Sequence, residues 1–126
     1  MKKEIISTTK APSAVGTYSQ GVKLDHCYYF SGQIGLCPMT MELQPGFEAQ
    51  LKQILNNIDG LLESQNITRE NIIKTTIFLT DLENFPIVNR YYEDFFLTPY
   101  PARSCVEVSR LPKDSLVEIE VIASDC

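Results

Sequence analysis

The sequence is poor in the residues on which many metal and nucleophile centres depend. It has one histidine, His26, and its four cysteines include no C-x-x-C pair. Structural zinc needs four ligands, mostly His and Cys, and a Ser–His or Cys–His pair needs a histidine beside the nucleophile. His26 lies in a short segment that is typical of a surface hairpin turn. We therefore expect no zinc site, and thiols rather than disulfides, as in a reducing compartment.

Basic charge and long apolar runs are also scarce. The chain has 11 Lys and Arg against 16 Asp and Glu, a net charge of −5, and its only basic cluster is Lys2, Lys3 and Lys10. Nucleic-acid binding is driven by clustered Lys and Arg, so the composition argues against it. No apolar stretch approaches the roughly 20 residues that cross a bilayer, and no apolar signal segment follows the first lysines. We expect a cytoplasmic protein that binds neither nucleic acid nor a membrane.

The pattern of apolar residues predicts one α+β domain over residues 1–126. Of the residues, 44% are hydrophobic and 21% charged, as in ordinary globular domains. Apolar residues spaced three and four positions apart predict a helix over 46–65. Asn84 is a plausible N-cap of a second helix, which ends near residue 97. Strands are predicted at 4–7, 20–24, 27–31, 72–80, 103–109 and 117–123. This order favours two helices on one face of a mixed sheet.

The second face of such a sheet must be covered as well. Apolar residues are frequent in the predicted strands outside the 72–80 segment: Val22, Leu24, Tyr28, Phe30, Val106 and Val108. A sheet this apolar in so short a chain predicts contacts with other copies, that is, a homo-oligomer.

Two charged residues near the C-terminus are candidates for chemistry. Arg103 opens an alternating strand, and Glu118 lies in the alternating run 117–123. An arginine fork binds a planar carboxylate, and a carboxylate can hold and deprotonate water. A hairpin turning near Pro112 would place Arg103 opposite Ala123 and about 16 Å from Glu118, at ~3.3 Å per residue. On that geometry, groups from neighbouring chains would form the site.

Each of these residues also has a plain structural interpretation. Arg103 is compatible with a surface ion pair, and Glu118 or Glu120 with a solvated strand position. Cys105 is a possible nucleophile, but no histidine stands near it in the sequence, and an alternating strand favours a buried thiol.

Four segments resemble, in order, the YjgF/YER057c/UK114 family and within it the RidA group of enamine/imine deaminases. They are GTYSQGV at 16–22, YYFSGQIG at 28–35, the run 72–96, and PARSCVEVSRLPKDSLVEIEVIA at 101–123. The resemblance implies a chorismate-mutase-like fold, a homotrimer with a central barrel, and active sites between subunits. It also implies hydrolysis of 2-iminobutanoate and 2-iminopropanoate, released by pyridoxal-phosphate dehydratases, to 2-keto acids and ammonia without a cofactor.

The same resemblance assigns roles to residues. Arg103 would bind the substrate carboxylate and Glu118 would position water, while Tyr18, Ser31, Gly32, Asn89 and Cys105 would line the cleft. Thr17, the loop 36–41 and the connection 97–100 depart from the family pattern at expected cleft borders, which bears on substrate size. A regulatory carboxylate-binding module and a chaperone-like or translation-inhibiting protein of the same fold are the alternatives.

Overall fold

The structure, a computed structural model, describes residues 2–126. Six strands form one sheet: β1 (Lys3–Ile6), β2 (Gly21–Leu24), β3 (Cys27–Phe30), β4 (Ile72–Leu79), β5 (Ala102–Glu107) and β6 (Val117–Ser124). Two helices, α1 (Phe47–Ser64) and α2 (Phe85–Phe95), complete the α+β architecture predicted from the sequence. No helix within the described residues combines the length and apolar character that a bilayer crossing requires.

Local signals in the sequence set the bounds of the helices. Gly46 precedes α1 with a φ of 87°, a conformation open to glycine, and Asn66 follows the helix with a φ of 58°. Asn84 is the residue before α2, as predicted, with Pro86 in the first turn, although the Asn84 side chain makes no capping hydrogen bond. Pro86 fits this first turn because its missing N–H would be unpaired there in any case.

The strand order in the sheet is β1-β2-β3-β6-β4-β5. All neighbours are antiparallel except β4 and β5, which run parallel, so the sheet is mixed, as predicted. The two helices account for one face of it: large apolar residues of α1 and α2 are fully buried with those of the central strands, among them Leu51, Ile54, Val88, Ile77, Leu79, Val117 and Ile119.

The predicted hairpin of β5 with β6 is wrong. Thr75 of β4 lies between Arg103 and Val121, so Arg103 does not face Ala123. The physical reason is that β4 is an apolar central strand with backbone donors and acceptors on both edges. Both later strands therefore pair with it, and the chain between them crosses over instead of turning back.

The second face of the sheet carries exposed apolar side chains. Ile5, Tyr29 and Val106 retain 58%, 46% and 45% of their surface, and the alternation of the strands places all three away from the helices. Tyr28 and Phe30, which the sequence analysis grouped with this apolar surface, instead lie buried on the helix-covered face. Of the four hairpin residues that the sequence analysis grouped, Val22 and Leu24 lie on the open face.

Candidate active site

Arg103 is fixed by side chains of α2. Its register partner in β4 is Thr75, a fully buried residue, so Arg103 points to the helix-covered side at the edge of the sheet. Its Nη1 donates a 2.8 Å hydrogen bond to Oδ1 of Asn89. The guanidinium carbon also lies 4.8 Å from the ring centre of Phe85 and 5.3 Å from that of Tyr92. Cation–π contacts and one hydrogen bond thus orient a fork of donors with further N–H groups available.

Phe85 and Tyr92 were missed by the sequence analysis, although their spacing carried a signal. Phe85, Asn89 and Tyr92 follow one another at intervals of four and three, which places them on one face of a helix. The Tyr92 hydroxyl donates a 2.7 Å hydrogen bond to Oγ1 of Thr75. Burial raises the pKa of Tyr92 to about 12, so this phenol is neutral beside the arginine.

Cys105 lies two residues after Arg103 and on the same side of β5. It is partly buried against the core, and burial raises the pKa of its thiol. The one histidine, His26, is engaged elsewhere: it lies in the predicted exposed turn, and its Nδ1 is 2.8 Å from Oδ1 of Asp125. A protonated thiol without a base fits a wall of a site and not a nucleophile.

Glu118 belongs to a separate cavity of about 620 Å³. Four of the predicted residues line it: Tyr18, Ser31, Gly32 and Glu118. Ser31 is oriented by a 2.6 Å hydrogen bond from its Oγ to the carbonyl of Ser19. Asn89, Arg103 and Cys105 are not among the residues that line this cavity.

The backbone of residues 31–33 is held against β6 beside Glu118. Gln33 and Ile119 exchange two backbone hydrogen bonds, of 2.8 and 3.0 Å. The pairing brings Gly32 so close to the Glu118 carboxylate that a Cβ at position 32 would overlap it. Gly32 is therefore needed for a close approach and not for its backbone freedom.

The wall of this cavity is anchored by buried amides. The side chain of Gln20 donates to the carbonyls of Thr8 and Pro12, at 2.9 and 2.7 Å, and so fixes the loop before Tyr18. Asn57 of α1 donates a 2.9 Å hydrogen bond to the carbonyl of Leu36. These amides are almost fully buried, so the loops around Glu118 are tied to the core.

The carboxyl group of Glu118 is partly desolvated. Burial, and secondly the charge of Glu120 two residues along the same face, raise the pKa of Glu118. A carboxyl group with a raised pKa gives up and regains a proton closer to neutral pH than an exposed one, which suits general acid–base chemistry.

Arg103 and Glu118 of one chain point to opposite faces of the sheet. Arg103 shares its face with Thr75, whereas Glu118 pairs with Phe78, whose side chain alternates to the other side. The predicted residues of one chain thus form two separate groups. We call them the cation half-site, with Arg103, Asn89 and Cys105, and the carboxylate half-site, with Tyr18, Ser31, Gly32 and Glu118. As expected, Arg103 and Glu118 of one chain are kept apart. The reason is that they lie on opposite faces of the sheet, and not that they are far apart along a hairpin.

The two atypical segments lie in different places. Leu36 and Met41 of the 36–41 loop line the carboxylate half-site, as expected of a cleft border. Leu97 and Pro99 instead line a larger cavity, of about 860 Å³, at the ends of the two helices, which holds none of the predicted site residues. Its size does not make it the site, because Arg69, the one cation among the described residues that line it, is already paired with Asp59 at 2.8 Å and is surrounded by further carboxylates. Within residues 2–126, no three His, Cys, Asp or Glu side chains are grouped to hold a metal.

Comparison with known proteins decides the family. The sequence model of the endoribonuclease L-PSP family matches residues 8–125. The chain belongs to this family. The family that the sequence resemblance indicated is thereby confirmed, since proteins named as YjgF and RidA are among its structural relatives.

Three relatives represent the family. The 2-iminobutanoate/2-iminopropanoate deaminase of Escherichia coli K12 is 46% identical over 121 residues, 94% of each chain. The mouse deaminase of the same name is 43% identical over 122 residues, 96% of this chain and 90% of its own. The crystal structure of E. coli TdcF with bound serine superposes with a TM-score of 0.90 at 40% identity, covering 98% of this chain and 99% of the other.

Proposed function

We propose that this protein hydrolyses reactive 2-imino acids, such as 2-iminobutanoate and 2-iminopropanoate, to 2-keto acids and ammonia. The names of the E. coli and mouse relatives support this substrate class. The bound serine in the TdcF structure supports a small ligand with a carboxylate next to a nitrogen-bearing carbon. No further group is needed for the reaction, and we expect the protein to act in the cytoplasm as the catalyst that follows a dehydratase.

The orientation of Arg103 is the observation that carries the proposal. A 2-imino acid has a planar carboxylate beside its C=N bond, and a fork held by Asn89 and two rings binds such an anion with little loss of freedom. Water then adds to C2 while the imine nitrogen gains a proton. Glu118 takes this first proton from the water and passes it to the nitrogen, which leaves a carbinolamine with a hydroxyl and an amino group on C2. Glu118 then takes the hydroxyl proton and passes it to the amino nitrogen, so that the C–N bond breaks, the keto group forms and ammonia leaves. General acid–base help of this kind contributes about 10²- to 10⁴-fold, which suffices because the substrates also hydrolyse unaided.

We propose further that the working unit is a homotrimer in which each site joins two subunits. The cation half-site of one subunit would face the carboxylate half-site of the next, around a central barrel lined by the open faces of the sheets. Exposed Ile5, Tyr29 and Val106 on that face, and the position of β5 at the edge of the sheet, support such contacts.

The activity is tested by coupling the protein to a threonine dehydratase and following 2-oxobutanoate release with and without it. We expect faster release, and Arg103→Ala abolishes the increase. Unchanged release with active dehydratase would refute the assignment. A regulatory carboxylate-binding module would bind 2-oxobutanoate without accelerating its formation, and Glu118→Gln would leave that binding intact.

Shared sites are tested by mixing two inactive variants. Arg103→Ala retains Glu118, and Glu118→Gln retains Arg103. A complete site needs its cation half-site from a Glu118→Gln subunit and its carboxylate half-site from an Arg103→Ala subunit. In an equal mixture that reassembles at random, each condition is met half of the time, so about a quarter of the sites are complete. We expect about a quarter of wild-type activity after unfolding and joint refolding, and none when the variants are refolded separately. Continued inactivity of the mixture, with the mixed assembly shown by native mass spectrometry, would exclude sites between subunits.

The word endoribonuclease in the family description calls for a direct test on RNA. A net charge of −5 and the lack of a basic stripe in the sequence argue against phosphate-driven binding. We expect no retention of RNA in a filter-binding salt titration at low salt. Salt-sensitive retention would favour the translation-inhibitor alternative.

A further inference from the structure

Lys113 is a charged residue of the carboxylate half-site that the catalytic scheme above does not use. It lies in the connection between β5 and β6 and lines the same cavity as Glu118. Within residues 2–126, it is the one cation among the residues that line this cavity. Arg103, the other cation of the scheme, lies on the opposite face of the sheet in the same chain.

The backbone at Lys113 is unusual for a lysine. Its φ and ψ are 57° and 24°, and the next residue, Asp114, has a φ of 56°. This left-handed conformation is sterically unfavourable for a residue with a Cβ, and glycine or asparagine is the ordinary choice. An uncommon residue in such a conformation at the border of a site points to a use of its side chain.

The neighbouring charges leave the Lys113 ammonium without a partner. Arg110 makes a 2.8 Å ion pair with Asp114, the carboxylate next to Lys113 in the chain. Lys113 itself takes part in none of the ion pairs among the described residues. The turn that carries it is fixed by backbone hydrogen bonds from Asp114 to Leu111 and from Ser115 to Pro112, both of 3.1 Å.

The cavity poses an electrostatic problem for the proposed substrate. Glu118 lines the cavity, and the exposed Glu120 lies two residues away on the same face of β6, so an incoming carboxylate meets one like charge and approaches a second. Repulsion of this kind lowers affinity, and the burial of Glu118 weakens the screening by water.

We propose that Lys113 is a substrate-positioning cation that attracts the carboxylate of the 2-imino acid to the Glu118 cavity and offsets this repulsion. This inference rests on the proposed function. It adds Lys113 as a second cation to Arg103, which binds the substrate carboxylate. Lys113 acts on binding and not on the transfer of protons. Its removal therefore raises KM and leaves kcat nearly unchanged.

The experiment compares Lys113→Met with Lys113→Arg and with Lys52→Met, a matched loss of one exposed lysine from α1. With the dehydratase-coupled assay, we expect Lys113→Met to raise KM about tenfold, since 1.4 kcal/mol of charge attraction corresponds to that factor. Lys113→Arg restores KM, and Lys52→Met changes nothing. The Kd of 2-oxobutanoate, measured by titration calorimetry, follows KM, whereas that of the uncharged 2-oxobutanamide does not respond to the substitution.

The outcomes separate this inference from the function on which it rests. A wild-type protein that neither accelerates keto-acid release nor binds 2-oxobutanoate would overturn the proposed function. An active wild type with an unchanged KM in Lys113→Met at low salt would overturn the role of Lys113 alone. Lys113→Gly, which relieves the left-handed strain, is the folding control: we expect it to keep the wild-type Tm and to show the same rise in KM. An equal loss of kcat in Lys113→Met and Lys113→Gly would mean a structural role.

Discussion

Asn89 holds Arg103 by a 2.8 Å hydrogen bond from the guanidinium to its side-chain oxygen. The two residues come from different elements, α2 and β5, and the bond fixes the direction of the fork relative to the edge of the sheet. An arginine without this partner would keep its charge but sample many rotamers.

We expect Arg103→Ala to lower kcat/KM by about 10²- to 10³-fold, in line with the loss of a charged donor to a developing or bound anion. Arg103→Lys keeps the charge without the fork and recovers only part of the loss. Asn89→Ala, which leaves the arginine in place, lowers activity by about tenfold through poorer orientation. The measurement is steady-state kinetics with the coupled dehydratase.

Arg90→Ala is the control for these arginine variants, because Arg90 pairs with the exposed Glu48 and not with the site. Equal kinetics of Arg90→Ala and Arg103→Ala would contradict a specific role of Arg103.

Gly32 is expected to tolerate no side chain without a loss of activity. A Cβ at this position would overlap the Glu118 carboxylate, which is the movable end of its side chain. Gly32→Ala therefore displaces the carboxylate and lowers kcat by about tenfold or more, while the free energy of unfolding changes by no more than about 1 kcal/mol. In the Glu118→Asp background, where the shorter side chain withdraws the carboxylate from position 32, the same alanine should cost much less, and a double-mutant cycle measures the coupling. Fully additive losses of kcat in the double variant would contradict a contact between position 32 and the Glu118 carboxylate.

The acidic limb of the pH–rate profile should report Glu118. Burial and Glu120 raise its pKa, so the ionised form is lost at a higher pH than for an exposed glutamate. Glu120→Gln removes one of the two causes, and we expect it to move the limb to lower pH with little change in the plateau. A limb that stays in place would mean that another group controls it.

The same shift has a consequence for stability, with a defined sign. A raised pKa in the folded state means that ionised Glu118 is less favourable there than in the unfolded chain, at every pH above the folded pKa. Glu118→Gln should therefore raise Tm at pH 8. The gain should shrink as the pH falls through the raised pKa towards about 4.3, where the unfolded-state carboxyl is protonated too. Thermal unfolding at several pH values checks this.

Cys105→Ser should keep most of the activity. The thiol is protonated and partly buried, and its pKa is raised, so its sulfur does not serve as a nucleophile. We expect kcat within about threefold of wild type, with a small loss of stability from placing a hydroxyl in a partly apolar position. Complete loss of activity in a folded Cys105→Ser protein would show covalent catalysis by the thiol.

The elements of the fold were largely readable from the sequence because their signals are local. The three- and four-residue gaps of α1 and the alternation of β4 and β6 report burial directly. Strand pairing is not local. The residues of β5 fit a parallel pairing with β4 as well as an antiparallel pairing with β6. The sequence analysis chose β6 because it follows β5 directly in the chain.

The site shows the same limit. Arg103 and Glu118 could be named from residue type and resemblance, but the face of each depends on the register with β4. The ring pair Phe85 and Tyr92 could have been found from helical spacing, once α2 was known to pack beside β5. The Lys113 backbone could not, since a left-handed φ is uncommon for a lysine and nothing in the Pro-Lys-Asp sequence signals it.

The arginine and the glutamate face away from each other across one sheet. If the sites join two subunits, as we propose, a solitary subunit holds every required group and no working centre. Under this arrangement, specific activity should decline on dilution while the circular dichroism spectrum stays constant, so that catalysis is switched by protein concentration alone.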